Sequence, residues 1–280
     1  STRVRSSAAS DVYKRQYLVS VGRAIHPREL PSDVVEAARQ CVLDWLGGVI
    51  GGAREPLVVK LLEEALEQGG NPLSTVLVHG NKTSPAFAAL INGSAADALD
   101  FADSNNNMRG HSTPGVVATA LALAEARERS GWDVLGAVVA GIETECRVGL
   151  LVKPYLRTGF HPTANIAPFG CAAAAAHLLN LDADRWGQAL GIVATQAAGL
   201  HCSGGSMCKP MHSGQAAMHG LLAASLARRD FTGRREAIEA SEGFLTTHAT
   251  DRDQDALFAA DGRYPVSYTH LRAHETGRNL

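Results

Sequence analysis

The sequence predicts an all-α protein, and three observations carry that reading. Alanine and glycine are abundant while aromatic residues make up only 5% of the chain, a composition suited to closely packed helices rather than to a β-sandwich. Apolar residues recur at helical spacing through the long segments. No series of strand, turn and strand appears, and no internal repeat is evident.

Taken in order, Ser32 is the expected cap of an amphipathic run through Val35, Ala38, Cys41, Val42, Trp45 and Leu46, which ends in glycines near Gly51 and Gly52. Residues 56–68 predict a second helix, and two small β-type pieces around residues 74–79 follow. Ser84-Pro85 opens the next helix, with cap and first-position proline in the expected order; its core stripe is Phe87, Leu90, Ile91, Ala95, Ala98 and Leu99. Thr113-Pro114 opens a helix to about Arg129, Asp133 begins one to about Leu151, and His161-Pro162-Thr163 leads into an alanine-rich helix ending near Asn180. Residues 182–198 and 210–228 read as helices on either side of a Gly/Ser loop at 203–206, and residues 234–241 as a short helix.

Charge excludes some partners. The chain carries 26 basic and 28 acidic side chains, a formal net charge of −2. Neither nucleic acid nor an anionic membrane is therefore expected as a partner. The five cysteines are odd in number and irregularly spaced. With no signal-peptide pattern and no membrane-spanning apolar run, a reducing cytoplasm is the expected location.

Both ends look foreign. Residues 6–16 and 266–276 fit no helix or strand pattern. Asp11–Gln16 can be written GAT GTG TAT AAG AGA CAG, and the reverse complement of that string, in a shifted frame, reads Val266-Ser267-Tyr268-Thr269-His270. Such an inverted repeat resembles translated library adapters, which are excluded from fold reasoning. The expected organisation is an adapter-like tail at 1–16, a native helical domain at 17–265 that is truncated, and a second adapter-like tail at 266–280. His270 and His274 are then no candidates for function.

Candidate chemistry sits where basic residues meet helix starts. His111 lies three positions before Pro114, His161 immediately before Pro162, and Lys209 immediately before Pro210. Helix N-termini present unpaired N–H groups and partial positive charge, so three of them brought together would form a polycarboxylate socket. A helix end gives an anion about 0.3–1 kcal/mol at an exposed site. A full lysine charge in contact gives roughly 4 kcal/mol at an effective dielectric near 20. Lys209 is therefore expected to dominate binding, with the helix ends fixing orientation.

The loop from His201 to Pro210 lacks the glycine before lysine and the hydroxyl residue after it that a phosphate loop requires. Its His201, Cys202, Cys208 and His212 are all possible zinc ligands, in a spacing that matches no common zinc motif. A non-catalytic metal-binding helical module is the reading from another class. Asp97, Asp100 and Asp103 at the end of the Ser84 helix are either a solvated acidic face or, for Asp100, a base or the group that orients a histidine.

At these segments the sequence resembles the MmgE/PrpD family, whose members include 2-methylcitrate dehydratase, cis-aconitate decarboxylase and iminodisuccinate epimerase. Asn92-Gly93 followed by Ala98-Leu99-Asp100-Phe101-Ala102-Asp103-Ser104 is similar to the family's NG…H-x-x-D-F-D-D-T stretch. His111 matches the histidine of the HP motif after it, Gly159-Phe160-His161-Pro162 the GFHP motif, and Lys209-Pro210-Met211-His212-Ser213-Gly214 the K-x-L-H-x-G motif. Asp97 stands where the family often has histidine, Ala102 replaces the middle acid, Ser104 replaces threonine, and Ser112 replaces the usual proline.

The resemblance implies a multi-helix domain, a second α+β domain not contained in this chain, and a homodimer at full length. It implies a lyase that dehydrates a small polycarboxylate such as 2-methylcitrate by cofactor-free acid/base chemistry, with no metal. Decarboxylation of a cis-aconitate-like acid and epimerisation of a dicarboxylate are the alternatives. Asp100, Ser104 and His111 are implied as catalytic, and His161, Lys209 and His212 as substrate-binding. Lys209 and His161 are expected to clamp carboxylates while His111 transfers protons and Asp100 tunes or orients it. The chain alone is expected to turn over nothing.

Overall fold

The computed structural model describes residues 14–152, 159–249 and 264–270. They form the expected all-α domain. Its helices are α1 (residues 14–23), α2 (Ser32–Gly52), α3 (Pro56–Gln68), α4 (Pro85–Asp97), α5 (Thr113–Ala126), α6 (Gly131–Leu151), α7 (Pro162–Leu178), α8 (Ala183–Ala194), α9 (Cys208–Ala227) and α10 (Phe244–His248). None is long and apolar enough to cross a membrane.

Local chemistry sets most helix starts. Ser84 accepts a hydrogen bond from the Phe87 N–H and Pro85 follows it at the first position of α4. Ser130 and Asp133 form a reciprocal capping box, so α6 begins at Gly131, ahead of the expected Asp133. Asp182 caps α8 through the Arg185 N–H at 2.8 Å. Ser32 differs from expectation. The cap position belongs to Pro31, whose carbonyl accepts the first helical bond, from the Val35 N–H at 3.0 Å.

Helix α7 lies at the centre, buried from Pro162 through Ala176 and packed against α5, α6, α8 and α9. Its alanines and Gly170 let neighbouring backbones approach closely. The short strand β1 (Ser74–Thr75) pairs antiparallel with β2 (Lys82–Thr83), so the second strand lies beyond the expected 74–79 stretch. Residues 234–241 are turns rather than a helix. The Phe244 and Leu245 N–H groups bond back to the carbonyls of Ala237 and Ile238, which folds the segment on itself before α10.

The tails show more pattern than their sequence suggested. Residues 14–16 continue into α1, with Lys14 buried. Pro265–Tyr268 is a 3-10 turn, and β4 (Thr269–His270) pairs with β3 (Ser104–Asn105). Main-chain edges pair regardless of side-chain identity, so a strand edge at Ser104 accepts a neighbour that no side-chain pattern announces.

Candidate functional site

The site begins where α4 crosses α9. Gly93 and Gly214 face each other there. A Cβ on Gly93 would lie 3.0 Å from the Gly214 Cα, and one on Gly214 would overlap the Leu90 carbonyl. This close approach brings Asp97, one turn beyond Gly93, against the start of α9. Ser213 Oγ donates to Asp97 Oδ2 at 2.9 Å, and Lys209 Nζ to Asp97 Oδ1 at 2.9 Å. Asp97 is 1% exposed, so it is a buried partner rather than part of a solvated acidic face.

Helix α4 ends at Asp97, and Asp100 lies past it with φ 58°. Aspartate tolerates this left-handed region better than most residues. The turn puts Asp100 Oδ1 2.6 Å from Lys209 Nζ. Burial alone would lower the Lys209 pKa, but Asp97 and Asp100 outweigh it and hold the ammonium above its ordinary value. His111 Nε2 completes the cluster, 3.4 Å from Lys209 Nζ, 3.7 Å from Asp100 Oδ1 and 3.9 Å from Asp97 Oδ1.

The proton position on His111 follows from its other nitrogen. Nδ1 lies 2.8 Å from the main-chain carbonyl of Asp103. A carbonyl only accepts, so Nδ1 carries the hydrogen, and in the neutral ring Nε2 holds the lone pair. The Asp103 carboxylate meanwhile takes the start of α5. It accepts from the Thr113 N–H at 3.0 Å and from the hydroxyls of Ser112 and Thr113. The expectation that this helix end holds a substrate carboxylate is thereby corrected: the protein's own Asp103 already fills it.

His161 is the N-cap residue of α7, and its Nδ1 lies 3.0 Å from Nδ1 of His212. One hydrogen serves that pair. The ring that accepts it therefore presents an Nε2–H donor, and the ring that gives it presents an Nε2 acceptor. Burial, then the neighbouring His212 and Lys209, push the His161 pKa down to about 3. His161 thus brings a hydrogen bond, not the positive charge of a carboxylate clamp. Burial and Lys209 also lower the His212 pKa, against the pull of Asp97.

The three predicted helix starts converge. The His111 N–H donates to Thr163 Oγ1, in the first turn of α7, at 3.2 Å. Beside them opens a cavity of about 330 Å³ lined by Ser104, Asn105, Asn106, Arg109, Gly110, His111, His161, Pro162, Thr163 and His201. Ser104, His111 and His161 therefore face one hollow. Lys209, Asp100 and His212 are not among these lining residues, and each contacts a lining histidine. Helix α9 begins at Cys208, so Lys209 lies in its first turn rather than ahead of it.

The sequence reading gave Asp97 no role beyond a solvated acidic face and passed over Arg109. The signal for Asp97 was an acid three residues before Asp100 at the end of a strongly apolar helix. Among the described residues, Arg109 is the one Lys or Arg lining the cavity. The zinc reading finds no support in the geometry. Among the described residues His201, Cys202, Cys208 and His212 do not gather their ligand atoms. The trio that does is Asp97, Asp100 and His111, and the Lys209 ammonium already sits within 3.4 Å of all three.

An all-helical domain whose helix starts gather histidines around a polar hollow defines a small-molecule site. The chain belongs to the MmgE/PrpD family: the model of the MmgE/PrpD N-terminal domain matches residues 18–257. It is similar to the cis-aconitate decarboxylase of Aspergillus terreus, 32% identical over 223 residues that cover 77% of this chain and 46% of that protein. The human protein named cis-aconitate decarboxylase is 31% identical over 241 residues, 82% of this chain and 50% of the other. The mouse protein of that name is 28% identical over 232 residues, 81% and 48%. The chain thus spans about half the length of these relatives.

Proposed function

We propose that this chain is the substrate-binding helical half of a cofactor-free lyase acting on a small polycarboxylate, and that the reaction is decarboxylation of a cis-aconitate-like acid. The observation that carries the reading is the 330 Å³ hollow that joins His111 to His161 at the start of α7. Similarity to proteins named cis-aconitate decarboxylase favours decarboxylation over the dehydration of 2-methylcitrate expected from the sequence.

In this reading a carbon–carbon bond to a carboxylate breaks, and the electron pair passes into the conjugated acid that remains. A proton then closes the valence at carbon. His111 delivers it from Nε2, its ring held by the Asp103 carbonyl. Asp100 and Asp97 offset the positive charge of the ring while it carries the proton. His161 and the N–H groups at the start of α7 orient the substrate carboxylates. Ser104, on the cavity wall, hydrogen-bonds the substrate.

At full length the protein works as a homodimer in a reducing cytoplasm. Leu43 and Ile50, 71% and 66% exposed on α2, supply apolar surface for a second copy to cover. Cys202 and Cys208 are exposed free thiols, as a reducing compartment allows. The chain alone is proposed to bind without turnover.

The test is an assay of the complete protein with labelled cis-aconitate and, separately, with 2-methylcitrate. Release of labelled carbon dioxide, lowered about 10²–10⁴-fold in His111→Ala, is the expected result. Water elimination from methylcitrate without carbon dioxide release would move the assignment to dehydration. Neither product would sink the lyase reading.

A further inference from the structure

We infer that Arg109 is the residue that selects a tricarboxylate over a dicarboxylate in this cavity. The inference rests on the polycarboxylate reading above and deepens it.

Charge bookkeeping around the cavity leads to it. Lys209 is the obvious cation, but its ammonium is bound to the carboxylates of Asp97 and Asp100 at 2.9 and 2.6 Å. One lysine and two aspartates leave that cluster with a formal charge of −1 when His111 is neutral. Lys209 is also not among the residues that line the cavity. The neutral His111 presents only an Nε2 lone pair, its hydrogen being held by the Asp103 carbonyl, and His161 brings a single imidazole hydrogen bond. A ligand with three carboxylates then meets a wall short of positive charge unless another cation serves it.

Arg109 meets that need. It lines the same cavity, and among the described residues no other Lys or Arg does. Its placement is built into the loop before His111. Arg109 has φ 58°, a region that a long side chain seldom adopts. Its N–H donates to the Asn105 carbonyl at 2.8 Å, while the Asn105 N–H donates to the Gly110 carbonyl at 3.0 Å. Asn105 Oδ1 accepts from the Asn107 N–H at 3.0 Å. Gly110 lets this turn press on the start of α7, where any Cβ would lie 2.8 Å from Thr163 Oγ1. The turn thus carries a planar guanidinium, suited to bidentate carboxylate recognition, to the rim of the hollow.

The experiment titrates this chain calorimetrically with tricarballylate, which has three carboxylates, and with glutarate, which has two. It uses the wild type, Arg109→Gln, Arg109→Lys and, as a marker of the cavity, His161→Gln. The expected result is a loss of about ten-fold in tricarballylate affinity for Arg109→Gln, with a change of less than about three-fold for glutarate. Arg109→Lys keeps the charge without the fork and should fall between. If His161→Gln weakens tricarballylate and Arg109→Gln does not, or if Arg109→Gln weakens both acids equally, the role of Arg109 is refuted while the cavity assignment stands. If the wild type binds neither acid, or His161→Gln and Arg109→Gln both leave tricarballylate binding unchanged, the polycarboxylate reading falls with it.

Discussion

Nδ1 of His111 lies 2.8 Å from the main-chain carbonyl of Asp103, and the carboxylate of the same Asp103 holds the first turn of α5. One residue therefore fixes the proton position on the central imidazole with its backbone and anchors the helix behind it with its side chain.

Removing that carboxylate should cost stability. In Asp103→Ala the Thr113 N–H and the hydroxyls of Ser112 and Thr113 lose their acceptor in a fully buried place. A loss of about 2–4 kcal/mol is expected, combining a lost cap with unsatisfied buried donors. Urea unfolding checks it. A change below about 0.5 kcal/mol, the scatter of ordinary surface substitutions, would deny Asp103 its anchoring role.

The buried histidines predict acid sensitivity. His161 keeps a folded pKa of about 3, well below the ordinary value of 6.5. Between those values the unfolded chain binds a proton that the folded chain does not. Stability is therefore present above the ordinary value and falls as the pH drops from 6.5 toward 3, by up to about 1.4 kcal/mol per pH unit from this group. His161→Gln should flatten that dependence relative to wild type. Equal slopes for the two proteins between pH 6.5 and 4.5 would contradict the assignment.

Glu145 predicts the opposite sign. It is fully buried, and among the described residues neither carboxylate oxygen has a hydrogen-bond partner. Burial raises its pKa well above the ordinary value, with Asp103 adding to the effect. The unfolded chain then loses a proton that the folded chain retains, so stability is full below about 4.5 and declines as pH rises. Glu145→Gln is expected to be more stable than wild type at pH 8, by about 1–3 kcal/mol, and to lose that advantage at pH 5. A wild type more stable than the variant at pH 8 would show that the carboxyl is better accommodated than its unpartnered oxygens indicate.

The helix crossing predicts a packing effect far from the imidazoles. A methyl group at Gly214 meets the Leu90 carbonyl and Ser94 Oγ. Gly214→Ala should force α4 from α9 and cost about 1–3 kcal/mol, the usual range for overpacking. It should also weaken tricarballylate binding, because the Asp97–Lys209 contact depends on that approach. Unchanged stability and binding would mean that the crossing has slack.

How much of this was legible in the sequence depends on distance along the chain. The caps at Ser84 and Asp182 act over three residues, and both could be read directly. So could the alanine-rich α7. The gathering of His111, His161 and Lys209 near helix starts was legible as a pattern and as a family likeness, though not as a contact. What sequence could not give was the balance of charge. Asp97 and Lys209 are 112 residues apart and meet only because two glycines let their helices touch. Without that contact Lys209 reads as a free cation and Asp97 as surface. The same holds for Asp103, which reads as one more charge in an acidic run until it is seen filling the α5 terminus. The short helix expected at residues 234–241 failed because its main-chain partners lie across a fold-back that no local periodicity encodes.

The most direct test of the central claim, that the start of α7 and the loop from Ser104 to His111 form one acid-holding hollow, is a crystal structure of the chain with tricarballylate. Density is expected in the cavity beside His111 and His161, with a carboxylate oxygen within about 3.2 Å of His161 Nε2. Tricarballylate ordered on another face of the domain, with that cavity holding only solvent, would contradict it.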